Sequence, residues 1–408
     1  MDPAVEPELD SFSLTFPLPY RIGFIVTLAV WGWGLNLHGL YLFKIDLPTL
    51  IKYPVRSSPQ QVSHHLSTYR LATVLSGLFA FSITLFWICT WRIPSRVIEY
   101  DWIPMTYLVA MIAVFFAPLK HLPSNGRRRF LATLRRVSIG GIAEAKDGKF
   151  GDILLADVLT SYAKVSGDIF VTICMFFSTG GSSTDRPDRN CGGEVIVPLL
   201  MAVPSAIRFR QCFIEYFRVR NAPYRESAGW GGQHLANALK YSTAFPVIIT
   251  SALQRSADDD NSKTLLYRAW LVAVVVNSMY SFYWDVAKDW DLTLFSSPQP
   301  RKLGHKQAWG LRERLVFHEP NLYYIVIAID FLLRCTWSMK LSPHLNRFSD
   351  WESGIFLIEF LEVLRRWIWI FFRVETEAIR NSTSSGMEID DILLGDYEGD
   401  GNDDDDML

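Results

Sequence analysis

Apolar runs of bilayer length recur along this chain, separated by stretches that collect most of its charge. A helix needs about 20 mostly apolar residues to cross the hydrocarbon core of a membrane. Nine segments meet or approach that length: 20–43, 68–90, 102–119, 153–177, 195–217, 234–253, 265–287, 320–340 and 352–373. The third is short, and charged residues blur the ends of several later ones. The pattern predicts an all-α polytopic membrane protein with about nine transmembrane helices and no internal repeat.

An odd number of crossings puts the termini on opposite sides, and the basic residues say which. Segments 44–67, 120–152, 218–233 and 288–319 hold 20 Lys and Arg; the alternate set, 1–19, 91–101, 178–194, 254–264 and 341–351, holds 7. Positively charged loops stay cytoplasmic, so the N-terminus is expected to be lumenal or external and the C-terminus cytoplasmic. Three regions follow: a short acidic tail over 1–19, a transmembrane domain over 20–380, and an acidic tail over 381–408 expected to be disordered. The stretch NGRRRFLATLRRVSIGGIAEA (125–145) reads either as a basic amphipathic helix on the cytoplasmic leaflet or as an ordinary charged loop.

Composition narrows the function classes. Half of the 408 residues are hydrophobic, yet 40 Lys and Arg balance 42 Asp and Glu for a net charge of −2. Nucleic acid is therefore not an expected partner. The cysteines, Cys89, Cys174, Cys191, Cys212 and Cys335, are scattered with no CxxC pair, which predicts neither a disulfide framework nor a zinc site. No HExxH, GxSxG or P-loop motif occurs, so no catalytic residue, metal or cofactor is assigned and an enzyme is not expected. The first 19 residues lack the basic start of a cleaved signal peptide, and the first apolar run reads as an uncleaved anchor.

The informative anomaly is charge inside the spans. An arginine near the bilayer centre costs about 2.5–3.5 kcal/mol on insertion scales. Yet Asp157, Lys164 and Asp168, Arg208 and Arg210, Lys240, Asp285 and Asp289, Asp330 and Arg334, and Glu359, Glu362, Arg365 and Arg366 fall in six consecutive spans. Any single pair reads as a helix-local ion pair; Asp330 with Arg334, and Glu362 with Arg365 or Arg366, have the spacing for it. Recurrence across six spans favours a shared polar path, because buried ion pairs add little stability over apolar packing. Arginine's planar fork suits tetrahedral oxyanions and lysine adds a point charge, so the path reads as one for an anion, with phosphate and sulfate both open.

RFRQC (208–212), LKYST (239–243), WDVAKDW (284–290), DFLLRCTW (330–337) and EVLRRWIWIFFRVETE (362–377) stand in the order found in the EXS family. The last resembles that family's RRxxWNFFRxENE signature, with Ile370 in place of its Asn; the usual DWGL reads DWDL with Asp291. The resemblance is strongest over 198–377. It implies a phosphate path lined by Asp157, Arg208, Lys240, Tyr241, Asp285, Asp289, Arg334, Glu362, Arg365 and Arg366, with Thr160 standing where the family has Asn and Trp337 as a gate. No SPX domain is expected, and the short chain looks like the family's fungal ER-retention-defective branch rather than its retrovirus-receptor-type phosphate exporters. That branch implies a multi-pass Golgi membrane protein, with cycling to the ER open, that returns lumenal phosphate from glycosylation to the cytosol and supports retention of ER proteins and Golgi glycosyltransferases. The implied partners are inorganic phosphate and the lipid bilayer. The competing reading is a sorting scaffold whose cytoplasmic tail binds coat or recycling-adaptor proteins.

Overall fold

The computed structural model describes residues 9–52, 63–117, 124–144, 147–221, 231–296, 308–336 and 352–398, with side chains in the last helix as far as Ser382. Trp337, the end of the eighth expected span and residues 399–408 lie outside the described residues. Every regular element among those described is helical. They are α1 Ser11–Thr15, α2 Leu18–Leu42, α3 Leu47–Leu50, α4 His64–Thr90, α5 Pro94–Glu99, α6 Trp102–Phe116, α7 Ser124–Arg135 and α8 Lys149–Ser161. There follow α9 Ala163–Phe177, α10 Ile196–Asn221, α11 Gly232–Ser242, α12 Ala244–Ser256, α13 Asp260–Trp284, α14 Pro320–Arg334 and α15 Glu352–Glu398.

Local chemistry sets several boundaries. Asp259 caps α13 by accepting from the Ser262 amide at 3.0 Å. A π turn, Asp285–Asp289, prolongs α13, and the backbone then turns through Trp290 and Asp291. Asp291 takes φ +54°, the left-handed region that favours glycine. At Tyr162 the chain bends by 61° between α8 and α9.

Among the described residues four helices are long and apolar enough to cross a membrane: α2, α4, α10, and α13 with its π turn. The bent pair α8–α9 makes a fifth. The shorter α6 is strongly apolar but has only 15 residues. The other expected crossings correspond to the pair α11–α12, to α14 with 15 residues, and to the first half of α15. In α11, α14 and α15 the same charges that lower the hydropathy furnish the site below. The helix α15 continues without a break for 47 residues, as far as Glu398. At 1.5 Å per residue that is about 70 Å, over twice the thickness of a bilayer core.

The packing is inside-out relative to a water-soluble bundle. Arg21, Asp157, Arg208, Asp285, Asp330, Arg365 and Arg366 are buried, while Ile88, Val109, Phe177, Leu199, Ile249, Val272 and Leu332 stand exposed on outer helix faces. Bare apolar faces of this extent suit lipid, not water. α2 is central, packing on α4, α6, α9 and α15. Gly39 permits its close approach to α15: a Cβ there would lie 2.8 Å from the Phe371 ring.

Two expectations are corrected in the loops. Cys174 and Cys191 form a disulfide, because the 178–194 segment folds back over the end of α9 and brings their Cα atoms to 6.1 Å. The arginines of α7 are also not spread over a lipid-facing surface alone. Arg127 is buried and donates to the carbonyls of Val114 and Ala117 at the end of α6 (2.5 and 2.6 Å). Arg129 donates to the Lys52 carbonyl at 2.8 Å, and just past the helix Arg136 grips Asp152 of α8 (Nε–Oδ2 2.7 Å). Arg128 and Arg135 remain exposed.

Candidate functional site

The buried charges converge from six helices. α8 supplies Asp157, whose carboxylate accepts from Arg208 Nε of α10 at 2.7 Å and from the Tyr241 hydroxyl of α11. Arg208 lies face-on to the Tyr241 ring, 4.9 Å from its centroid, and its Nη1 donates to Gln211 Oε1 at 2.7 Å. Gln211 is held in turn by its donation to the Gly141 carbonyl at 3.0 Å. Asp157, Arg208, Tyr241 and Gln211 therefore orient one another.

The π turn brings the carboxylates of Asp285 and Asp289 to one ammonium: Lys240 Nζ donates to them at 3.1 and 3.3 Å. Widened turns of this kind recur at functional sites. Asp285 also pairs with Arg334 of α14 and, at 3.5 Å, with Arg365 of α15. Arg334 holds Asp330 at 3.3 Å, and Arg365 reaches Asp330 at 3.3 Å and both Glu362 oxygens at 2.6 and 3.0 Å. Asp285 is thus the hub, fully buried among three basic groups.

Arg366 is arranged differently. Its Nε donates to the Ser161 hydroxyl at 2.9 Å and its Nη2 to the Thr160 hydroxyl at 3.1 Å, and its plane lies 4.5 Å from the Trp369 ring centroid. The Ser161 hydroxyl in turn donates to Glu362 Oε1 at 2.8 Å, and the Thr160 hydroxyl donates to the Asp157 carbonyl at 2.7 Å. Arg366 Nη1 is buried with no hydrogen-bond partner, and no carboxylate among the described residues lies within ion-pair distance of this guanidinium. Arg208, Lys240, Arg334 and Arg365 are each paired with at least one carboxylate. The five basic groups face Asp157, Asp285, Asp289, Asp330 and Glu362, so the formal charges balance and the one unpaired guanidinium is Arg366.

All eleven residues expected to line the path, apart from the gate Trp337, fall within the described residues and belong to this one network. Thr160, standing where the family has Asn, donates its hydroxyl to the backbone and accepts from Arg366. Ser161, Gln211 and Asp330 were not assigned to the path from sequence. Ser161 lies four residues after Asp157 and Gln211 three after Arg208, so helical spacing carried the signal. Arg210, one residue from a face change, is exposed and donates to the Ile139 carbonyl at 2.6 Å instead.

Buried ion-pair networks inside, bare apolar faces outside and helices of bilayer length define a polytopic helical membrane protein with a charged interior. The chain belongs to the EXS family, whose model matches residues 16–379. It is 31% identical over 379 residues to Protein ERD1 homolog 1 of Schizosaccharomyces pombe, covering 92% of this chain and 94% of that one. It is 26% identical over 373 residues to the Xenotropic and polytropic retrovirus receptor 1 homolog of Xenopus laevis, covering 89% of this chain and 50% of the relative. It is 25% identical over 376 residues to Solute carrier family 53 member 1 of Mus pahari, with the same two coverages.

Proposed function

We propose that this protein is a Golgi membrane phosphate transporter that returns lumenal inorganic phosphate to the cytosol and thereby supports retention of ER proteins and recycling of Golgi glycosyltransferases. The observation that carries the reading is Arg366, a buried guanidinium with hydroxyl neighbours and an unpartnered N–H where its four basic neighbours have carboxylates. A tetrahedral oxyanion is the natural partner for such a fork. The paired groups orient the walls and limit affinity, so that the ion leaves again. Likeness to a solute carrier and to ERD1 homologs supports the transport and secretory-pathway parts of the reading. The chain crosses the bilayer nine times, with the N-terminus lumenal and α2, α4, α6, α8–α9, α10, α11–α12, α13, α14 and α15 as the crossings. The path residues act on the anion, and Trp337 gates it.

The test is uptake of labelled phosphate, with sulfate as competitor, into proteoliposomes holding the purified protein. Saturable phosphate flux that Arg366→Ala abolishes supports the reading; a folded Arg366→Ala protein with unchanged flux overturns it. A second reading draws on the length of α15, which extends past the end of its expected span at residue 373 to Glu398. Such a projection suits a scaffold that binds coat or recycling-adaptor proteins. Deleting 381–408 separates the two: lost enzyme retention with intact flux makes sorting the primary role.

A further inference from the structure

A second buried charge cluster lies beside the path, one helical turn from it along both α9 and α15. Lys164 Nζ donates to Asp168 Oδ2 at 2.6 Å and to Glu359 Oε1 at 2.7 Å. Both carboxylates are almost fully buried, while the lysine side chain is 30% exposed. Thr172, the next residue on the Lys164–Asp168 face of α9, is fully buried with an unpartnered hydroxyl. One ammonium therefore serves two buried carboxylates, and the level carries an excess negative charge when both are ionised.

The nearest surrounding charges offset part of that excess, because Arg189 acts electrostatically on both carboxylates and Arg21 on Asp168. Further out, Arg21 of α2 and Arg189 of the 178–194 loop clasp Glu352 at the start of α15, at 2.5 and 2.9 Å. Asp10 and Arg255 are the next charges beyond, beside Arg21 and Arg189. Inward, α15 continues to Glu362, Arg365 and Arg366. α10, which packs on α9, has no charged residue before Arg208, and α2 has none but Arg21 and, near its far end, His38. Along α15 the levels therefore alternate: a positive rim at Glu352, a negative ring at Glu359 about 10 Å further in, and the arginine site about 10 Å beyond that.

Resting on the transport reading above, we infer that Lys164, Asp168 and Glu359 form a proton-binding site that gates the anion's approach from the rim to Arg366. Two carboxylates held this close around one ammonium favour sharing a single proton. With the ring deprotonated, its negative charge repels an incoming phosphate. A proton taken from hydronium onto either carboxylate, leaving water, neutralises the ring and opens the approach; loss of that proton to water closes it. No other bond is made or broken. A unit charge about 10 Å from the site, at the effective dielectric of a protein interior, changes flux about tenfold.

The experiment uses the full chain in sealed proteoliposomes with fixed pH on the cytoplasmic face. Phosphate flux is read as the rim-face pH is lowered, for the wild type and for Glu359→Gln, whose amide cannot carry the negative charge. Phosphate's own ionisation is common to both and cancels. The wild type gains about tenfold on acidification, whereas Glu359→Gln is fast and flat. In parallel, infrared difference spectra follow the carboxyl carbonyl band that appears on protonation in the wild type and is missing in the variant, a readout that needs no flux. Asp168→Asn is read in the same way if Glu359→Gln does not fold. Equal pH responses in wild type and variant overturn the gate while leaving transport standing. A wild type whose flux follows phosphate ionisation alone, with no carboxyl band, overturns it without any variant. No phosphate flux at any pH, with the band present, overturns the transport reading and leaves a proton site.

Discussion

Arg366 Nε meets the Ser161 hydroxyl at 2.9 Å, whereas its neighbour Arg365 meets the Glu362 carboxylate at 2.6 Å. Adjacent in sequence and equally buried, the two arginines have different jobs. Removing Arg365 strands Glu362, Asp285 and Asp330 with less compensating charge, and breaking a buried pair this way costs about 3–5 kcal/mol. Arg365→Ala is therefore expected to lose thermal stability in detergent, seen as a large fall in the Tm of tryptophan fluorescence. Arg366→Ala breaks no direct ion pair, although it removes one of the five charges that balance the network; it is expected to lose less Tm than Arg365→Ala and to lose phosphate flux. Equal losses of Tm in both variants would contradict this division.

Asp285 and Asp289 share Lys240 but differ in what else they hold. Asp285 also compensates Arg334 and Arg365 and is completely buried, whereas Asp289 has only a longer 3.9 Å contact with Arg373 besides Lys240 and its side chain is 14% exposed. Asp285→Asn is therefore expected to reduce folded yield severely, with a loss of at least about 3 kcal/mol. Asp289→Asn is expected to fold and to alter the apparent affinity for phosphate. Size-exclusion profiles of the detergent-purified proteins check the first outcome and concentration dependence of flux the second.

The position of the charged network was legible in the sequence because charge within an apolar helix needs a partner, and Asp157, Lys240 and Arg365 each announce themselves by their surroundings. The division of labour was not legible. That Arg366 alone faces hydroxyls depends on the bend at Tyr162, which turns Thr160 and Ser161 toward α15, and nothing local in YAKVSG marks a bend. The pairing of Asp285 with Asp289 at one lysine was readable as an i,i+4 face, but not the π turn that sharpens it. Hydropathy likewise recovered the long apolar helices α2, α4, α10 and α13 and lost definition at α11, α14 and α15, where buried charges interrupt the apolar run. The Cys174–Cys191 bridge stayed hidden because it depends on a loop folding back over its own helix.

The DWDL turn offers a stability test away from the path. Asp291 occupies the left-handed region that glycine adopts freely, and its exposed side chain makes a 3.5 Å contact with Arg380. Left-handed backbone costs an ordinary L-residue about 1–2 kcal/mol, and less for aspartate. Glycine relieves the strain but raises the entropy of the unfolded chain by about 0.5–1 kcal/mol. Asp291→Gly is thus expected to leave Tm unchanged or slightly raised, while β-branched Asp291→Val lowers it. A marked fall in Asp291→Gly would show that the Arg380 contact outweighs the backbone.

The disulfide gives a prediction about both stability and side. Its loop spans 17 residues, and closing a loop of that size in the unfolded chain is worth about 3 kcal/mol. That loop also carries Arg189, whose grip on Glu352 orders the rim at the start of α15. Cys174→Ser is therefore expected to lower Tm, and to do so to the same extent as Cys191→Ser and the double variant, because all three delete one bridge. In the denatured wild-type protein a maleimide reagent labels three cysteines, Cys89, Cys212 and Cys335, and five after reduction. If the loop faces the lumen, as proposed from the distribution of basic residues, a membrane-impermeant reductant reaches the bridge only in opened vesicles. Release of the two thiols in sealed, right-side vesicles treated from the cytoplasmic face would reverse the orientation assigned to every span.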